Sequence, residues 1–300
     1  MMERREFLRT SAVLTTSSIG LQAGAFAQAA PGGNDPQRLT TISYNVLACR
    51  GYPETDENRD RLARAREHMT TRFALELGLY GPDIVTFQES PSEEVVASIA
   101  QQLGMNYAYF PGGWPGNADW PGGFPGTIMS RFPIVEKENC PLREGTRPED
   151  LFTRHWCRAV LKTGTGRLSI YSAHLHPSDA AVREREVTEI LKVLAPELES
   201  GAPLLFQGDL NHMPDGPEYA RWTGAGLVDT FASKGTGIDV SIPSTEPRER
   251  IDYIWAYGPV AGQLVEARIL FEGQFRTSPA DTKSFALSDH VPALARFTVS

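Results

Sequence analysis

The chain has 300 residues, 41% of them apolar, enough to bury one large core without disulfide or metal staples. Its 29 basic and 37 acidic side chains leave a net charge of −8, which disfavours a dedicated duplex-binding protein because no long-range field draws the chain onto a phosphate backbone. Cys49, Cys140 and Cys157 are widely spaced and include no Cys-x-x-Cys pair, so they read as small buried residues rather than a zinc site, with a Cys140–Cys157 bridge as the lesser alternative.

Residues 1–29 are not expected to belong to the fold. Arg4-Arg5, Phe7-Leu8, a mildly apolar Ser/Thr/Ala-rich stretch and small residues at Ala27 and Ala29 resemble a twin-arginine export signal. Their loss leaves 26 basic against 35 acidic residues, a balance of −9. No later stretch approaches the ~20 apolar residues of a membrane span, so a periplasmic or secreted location is the expectation. Residues 30–38, rich in Pro and Gly, read as a linker, and one domain is expected over 39–300.

In chain order, a β-prone run over 39–44 stops at Asn45. Leu62, Met69, Phe73 and Leu77 recur at helical spacing over 58–77, and Gly78 and Gly81-Pro82 end the pattern. Residues 83–88 form a short buried strand that stops at Glu89. Ser90-Pro91-Ser92-Glu93 reads as a capping box with proline in the first helical position, ahead of a helix burying Val95, Val96, Ile99 and Leu103.

Residues 110–126 place Trp114, Trp120 and Phe124 among glycines and prolines, which rules out helix and central strand. This loop is either pinned on the body or lines an entrance, where its rings meet a lipid interface or stack on a base or sugar. Strand character resumes over 127–134, and residues 158–161 and 168–173 form a hairpin that runs into His174. A helix from about Asp179, capped by Ser178, buries Val182, Ile190, Leu191, Leu194 and Leu198. A strand from Pro203 then drives into Gly208-Asp209-Leu210-Asn211. Such a segment is also what a strand followed by an Asx turn looks like. Residues 212–249 are irregular, and strands follow over 251–256 and 290–299.

The polar residues are placed informatively. Asn45, Glu89, His174 and Asp209 end strands, whereas Asp252 and Asp289-His290 begin them. These groups share a rim only if antiparallel neighbours are present, which rejects a Rossmann or TIM-barrel layout. The prediction is an α/β fold with two packed mixed or antiparallel sheets and helices outside, a four-layer sandwich. Carboxylates gathered in this way repel one another unless a cation joins them. Oxygen donors without thiolate point to Mg²⁺, Mn²⁺ or Ca²⁺, with Glu89 as the main ligand.

Ser43-Tyr44-Asn45, Phe87-Gln88-Glu89, Ala173-His174-Leu175, Gly208-Asp209-Leu210-Asn211, Ile251-Asp252-Tyr253 and Ser288-Asp289-His290 occur in one order. In that order, over residues 39–299, the chain resembles the endonuclease/exonuclease/phosphatase family, which includes deoxyribonuclease I, apurinic endonucleases, neutral sphingomyelinases and inositol polyphosphate 5-phosphatases. The resemblance implies a two-sheet sandwich and metal-dependent cleavage of a phosphate ester. By the family pattern Asn45 and Glu89 hold the metal with help from Asp289. His290, oriented by Asp252, takes a proton from the attacking water, and Asp209 orients that water or shares the base role. Asn211 and His174 donate to the phosphate oxygens.

Arg158, opening the strand before His174, is a phosphate contact or a surface ion pair. Deoxyribonuclease-like members place a mid-chain glutamate behind the first histidine, and only Asp119 stands anywhere near, so a strict deoxyribonuclease mechanism is disfavoured. The long basic loops that bind duplex DNA are missing too. A small or lipid-derived phosphate ester is therefore the expected substrate, an extracellular nuclease is the alternative, and a non-catalytic binding module is a third reading.

Overall fold

In the computed structural model, residues 37–299 are described apart from 119, 121 and 144. The export signal expected over 1–29, most of the linker, and Asp119 lie outside the described residues. The first half contributes β1 (Gln37–Asn45), α1 (Arg59–Arg66), α2 (Met69–Gly78), β2 (Ile84–Gln88), α3 (Glu93–Leu103), β3 (Asn106–Phe110), β4 (Gly126–Ser130) and β5 (Ile134–Asn139). The second contributes β6 (Trp156–Thr163), β7 (Gly166–His174), α4 (Ala180–Ser200), β8 (Leu204–Asp209), α5 (Pro217–Gly224), β9 (Val228–Asp229), α6 (Thr230–Lys234), β10 (Gly235–Thr236), β11 (Asp252–Tyr257), α7 (Pro259–Gly262), β12 (Leu264–Ile269) and β13 (Ala293–Val299).

Two mixed sheets result, ordered β10-β12-β13-β1-β2-β4-β3 and β5-β6-β7-β8-β11-β9. The four-layer α/β sandwich expected from the sequence is the observed architecture. Strand periodicity builds the layers. Leu204 and Phe206 of β8 pack with Val187, Ile190, Leu194 and Trp222 beneath α4 and α5, while Leu205 between them joins Ile170, Ile254 and Ala256 on the other face.

Toward one end, the layer between the sheets turns polar. Thr41 Oγ1 donates to Gln207 Oε1 at 3.0 Å, and Gln88 Nε2 donates to Ser172 Oγ at 3.3 Å across the interface. Buried polar groups persist only when bonded in this way, so this end of the sandwich is built to carry polar side chains.

Several local expectations change. The strand begins at Gln37, inside the presumed linker. The 58–77 helix is two helices broken at Glu67-His68, with Leu62, Met69, Phe73 and Leu77 all buried as the spacing predicts. Pro91 precedes α3 rather than opening it, and Ser92 caps it without a side-chain bond. Asp179, not Ser178, caps α4, its carboxylate accepting from Ala181 N at 2.9 Å and Val182 N at 3.2 Å. The 127–134 run divides because Pro133 cannot continue a ladder, so β4 lies in one sheet and β5 in the other. The stretch 212–249 holds α5, β9, α6 and β10, and the last strand starts at Ala293 rather than His290. Cys157 packs in the core that contains Leu205 while Cys140 packs against the α4 side, so both are free and lie on opposite faces of their sheet.

Candidate active site

Strand register assembles the rim. Asn45 pairs with Gln88 in parallel, so Glu89 follows directly beside it, and His174 pairs with Asp209 in parallel. Asp252 lies opposite Asp209 in an antiparallel pair, and β13 runs antiparallel to β1, which returns Asp289 and His290 to the same end. Gly208 permits the central contact. Its φ is +153°, and a Cβ there would stand 1.9 Å from Ala173 O, so only glycine lets β7 and β8 approach with His174 beside Asp209.

His290 Nδ1 lies 2.8 Å from Asp252 Oδ2, which also accepts from Ser241 Oγ at 2.6 Å. His290 Nε2 then faces Asp209 Oδ2 at 3.7 Å. Burial acts to lower the His290 pKa, but Asp252 and Asp209 outweigh it and hold the imidazole well above its ordinary value. Burial pushes Asp209 up to about 7, against the opposing pull of His290. Two carboxylates thus draw the His290 ring toward its protonated form, and the ring becomes a base when its Nε2 proton has left.

Asn45 Nδ2 donates to Glu89 Oε1 at 3.2 Å and to Asp209 Oδ2 at 3.0 Å, while its oxygen accepts from Leu47 N at 3.2 Å. In this arrangement the amide nitrogen, not the oxygen, faces the carboxylates. Ser288 Oγ lies 2.7 Å from Asn45 O and 3.1 Å from Asp289 Oδ1, its one hydrogen serving either acceptor, which ties the last carboxylate to the end of β1. Glu89 holds a left-handed backbone, φ +49°, which turns its carboxylate toward the rim. Burial raises the Glu89 pKa, Asn45 partly offsets this, and the like charge of Asp289 raises it further.

Two sets of groups bear on cation binding. Asp209, Asp252 and His290 offer atoms all within 4.8 Å of one another, and Asp252 Oδ1 is buried there without a hydrogen-bond partner. Glu89 and Asp289, with Asn45 between Glu89 and Asp209, form an oxygen-rich pair of like charges that a hard divalent cation would relieve. Among the described residues the first set is the one whose ligand atoms converge, and the second adds like charges beside it that a cation would relieve.

His174 is 3% exposed, and burial and Arg154 push its pKa well below the ordinary value, leaving a neutral ring. Its Nε2 lies 3.4 Å from Asp209 Oδ2, and its Nδ1 has no hydrogen-bond partner. Asn211 N donates to Asp209 Oδ1 at 3.2 Å, and its amide donates one hydrogen to Leu175 O at 3.0 Å, leaving the second N–H of the amide.

The model of the endonuclease/exonuclease/phosphatase family matches residues 42–290. The chain belongs to that family. Among solved structures it is similar to an endonuclease/exonuclease/phosphatase family protein from Bacteroides thetaiotaomicron, at 20% identity and a TM-score of 0.65, over 87% of this chain and 95% of that one. The mannosyl-6-phosphatase Bt3783 of Bacteroides thetaiotaomicron VPI-5482 matches at 18% identity and 0.64, over 86% and 98%. Truncated Caenorhabditis elegans TDP2 matches at 15% and 0.59, over 87% and 98%. At these identities the likeness establishes the fold. No curated protein sequence matches the chain.

Within this endonuclease/exonuclease/phosphatase fold, Arg158 does not reach the rim. It lies on the outer face of β6, donating to Glu197 at 2.7 Å, Tyr171 OH at 3.1 Å and Glu136 at 3.2 Å. The cation at the rim is Arg154, just before β6. It stacks over Phe124 at 4.3 Å, and its Nε is buried without a partner. Phe124 also stacks on Trp114 and Trp120 and meets His174 edge-on at 5.9 Å. The loop is anchored through Gly113 N to Arg154 O at 3.0 Å and Trp114 N to Thr153 O at 2.6 Å.

Behind it, the buried Glu186 of α4 accepts from Phe152 N at 2.7 Å and His176 N at 2.9 Å. The signal in the sequence was an arginine beyond the end of a strand next to the His174 strand. Which of two arginines reaches the rim depends on that placement.

Proposed function

We propose that this protein is an exported phosphate ester hydrolase, dependent on a divalent cation such as Mg²⁺ and using water activated at His290. The observation that carries the reading is the His290–Asp252 pair at 2.8 Å, facing Asp209 at the end of the strand next to His174. Asp252 holds the ring with Nδ1 protonated, so Nε2 is the atom that takes the proton of water. Asp209, raised to about 7, orients that water and shares the proton.

The neutral His174 ring, the free N–H of Asn211 and the Arg154 guanidinium are placed to meet negative charge developing on the phosphoryl oxygens. Glu89 and Asp289 would hold the cation, and Asn45 would join them through its oxygen once its amide turns over from the present hydrogen bonds. When bound, the cation supplies Lewis-acid charge beside the phosphoryl group and lowers the pKa of water.

The balance of −8 and the aromatic wall beside His174 favour a small or lipid-derived ester, or a single strand, over a duplex. The half-buried rings of the 110–126 loop are spent on one another and on Arg50 and Arg154, which supports a lined entrance over a membrane-inserting tip. Among the described residues no helix is long and apolar enough to cross a membrane. Export rests on the Arg4-Arg5 segment, and cell fractionation with R4K/R5K tests it.

The catalytic reading is tested with a chromogenic phosphate ester. Mg²⁺ or Mn²⁺ restores turnover after chelation, and H290A and D209A lower it by about 10²-fold or more. Full turnover in both variants would remove the assignment.

A further inference from the structure

The rim draws its groups from both sheets. Asn45 ends β1 and Glu89 follows β2 in one sheet, whereas His174, Asp209 and Asp252 belong to β7, β8 and β11 of the other. Their spacing therefore depends on how the two sheets are keyed together at that end. His174 has no hydrogen-bond partner at Nδ1 among the described residues, so packing holds that edge of the ring. Two rings supply it, Phe124 at 5.9 Å and His155 at 6.5 Å, both edge-on.

His155 lies directly before β6 and is 1% exposed. Its ring crosses to the facing sheet and rests on Gly126, the first residue of β4, where a Cβ would stand 2.1 Å from the ring carbon Cδ2. Only glycine leaves the imidazole this seat. Ser90 N donates to Pro125 O at 2.9 Å, which ties the entry to β4 beside Glu89. On the side of its own sheet, His155 Nε2 lies 3.1 Å from Ser172 Oγ, and that hydroxyl accepts from Gln88 Nε2 at 3.3 Å across the interface. His155 O accepts from His174 N at 2.9 Å. One residue thus touches His174 through both main chain and ring, and reaches the two neighbours of Glu89 through Gly126 and through Ser172. Burial lowers the imidazole to about 3, so near neutral pH it acts by shape and hydrogen bonding rather than by charge.

We propose that His155 is a positioning residue, which keys the two sheets at the rim and sets the separation between His174 and Glu89. The link to turnover rests on the phosphate ester hydrolase reading above; the link to geometry does not. Reacting groups displaced by about 1 Å lose on the order of 10²-fold in rate, so a slack key shows in kcat before it shows in substrate binding. A packing role alone would lower stability and leave kcat at the parent value.

The test compares H155A, H155Q, S172A and G126A with the parent for kcat and KM on a chromogenic phosphate ester and for thermal midpoint. Crystal structures give the distance from His174 Nδ1 to Glu89 Oε1, 3.9 Å in the parent. H155A lowers kcat by about tenfold or more with KM within about twofold, and lengthens that distance by about 1 Å. H155Q, whose amide reaches Ser172 from the place of Nε2, recovers most of the rate, and S172A loses about threefold or more. G126A loses rate in the parent background but not in H155A, where the new methyl finds room.

The proposal is overturned if H155A and S172A keep the parent kcat and differ only in thermal midpoint, or if H155Q is no faster than H155A. An unchanged His174–Glu89 separation in H155A overturns it too. Should H155A not fold, the kcat of S172A decides, with the parent rate as the refuting result. A lengthened separation in H155A of a protein that turns over no phosphate ester supports the key and refutes only the hydrolase.

Discussion

Asp252 reaches His290 at 2.8 Å through the same oxygen that accepts from Ser241 at 2.6 Å. Two donors on one buried oxygen fix the carboxylate, and the carboxylate fixes the ring. D252N presents an amide in its place and turns the wrong nitrogen toward Asp209. Turnover number is expected to fall by about 10²-fold or more with KM nearly unchanged, because the loss belongs to the transition state. Steady-state kinetics on a chromogenic ester check this, and a loss of less than about threefold would refute it.

Arg154 is expected to act on binding and on charge at once. R154A should lower kcat/KM by about tenfold or more, and R154K should recover part of it, since lysine keeps the charge but not the planar stack on Phe124. If R154A matches the parent enzyme at subsaturating substrate, the guanidinium has no part in the reaction.

Acid should destabilise the fold through two buried histidines outside the base. Burial lowers His155 from 6.5 to about 3 and His212 from 6.5 to about 4. Between those values the unfolded chain binds more protons than the folded one, so the stabilisation is complete above about pH 6.5 and is lost as pH falls. His212 Nε2 accepts from Trp222 Nε1 at 3.1 Å, a bond that protonation would break. From pH 7 to pH 5 each histidine should remove about 2 kcal/mol of unfolding free energy, read from urea titrations. Asp209, Glu89 and Glu186, which burial raises, act in the opposite sense, so the share of each histidine is read against H155N and H212N, and equal pH dependence in parent and variants would contradict it.

Gly208→Ala should cost roughly 3 kcal/mol, because the new methyl meets the backbone oxygen of Ala173, which cannot give way as a side chain can. Thermal melting of the variant is the measurement. An unshifted midpoint would mean that β7 and β8 are not held this closely.

Much of this was visible in the order of the residues. Short β-prone or buried runs that stop at Asn45, Glu89, His174 and Asp209 mark strand ends, and the opposite polarity of Asp252 and Asp289-His290 demands antiparallel neighbours. What stayed hidden depends on faces and on distant chain. Arg158 sits one residue after the inward Cys157, so period two sends it outward, but only the sheet shows which side is outward. Arg154 gains its place from the 110–126 loop folding across residues 153 and 154, a contact between segments far apart in sequence. β12, Leu264–Ile269, mixes charged and apolar residues near a sheet edge and carries too weak an alternation to stand out.

Glu186 grips two main-chain amides, one in the turn that leads to Arg154 and one in the turn that follows His174. The Arg154 turn and the turn after His174 are thereby mounted on a single bracket carried by α4. Widening the entrance by moving one turn alone would break a buried charge-assisted bond. Relatives with a different gape must therefore re-seat the helix or give up the carboxylate, and position 186 is where a designer seeking bulkier substrates would begin.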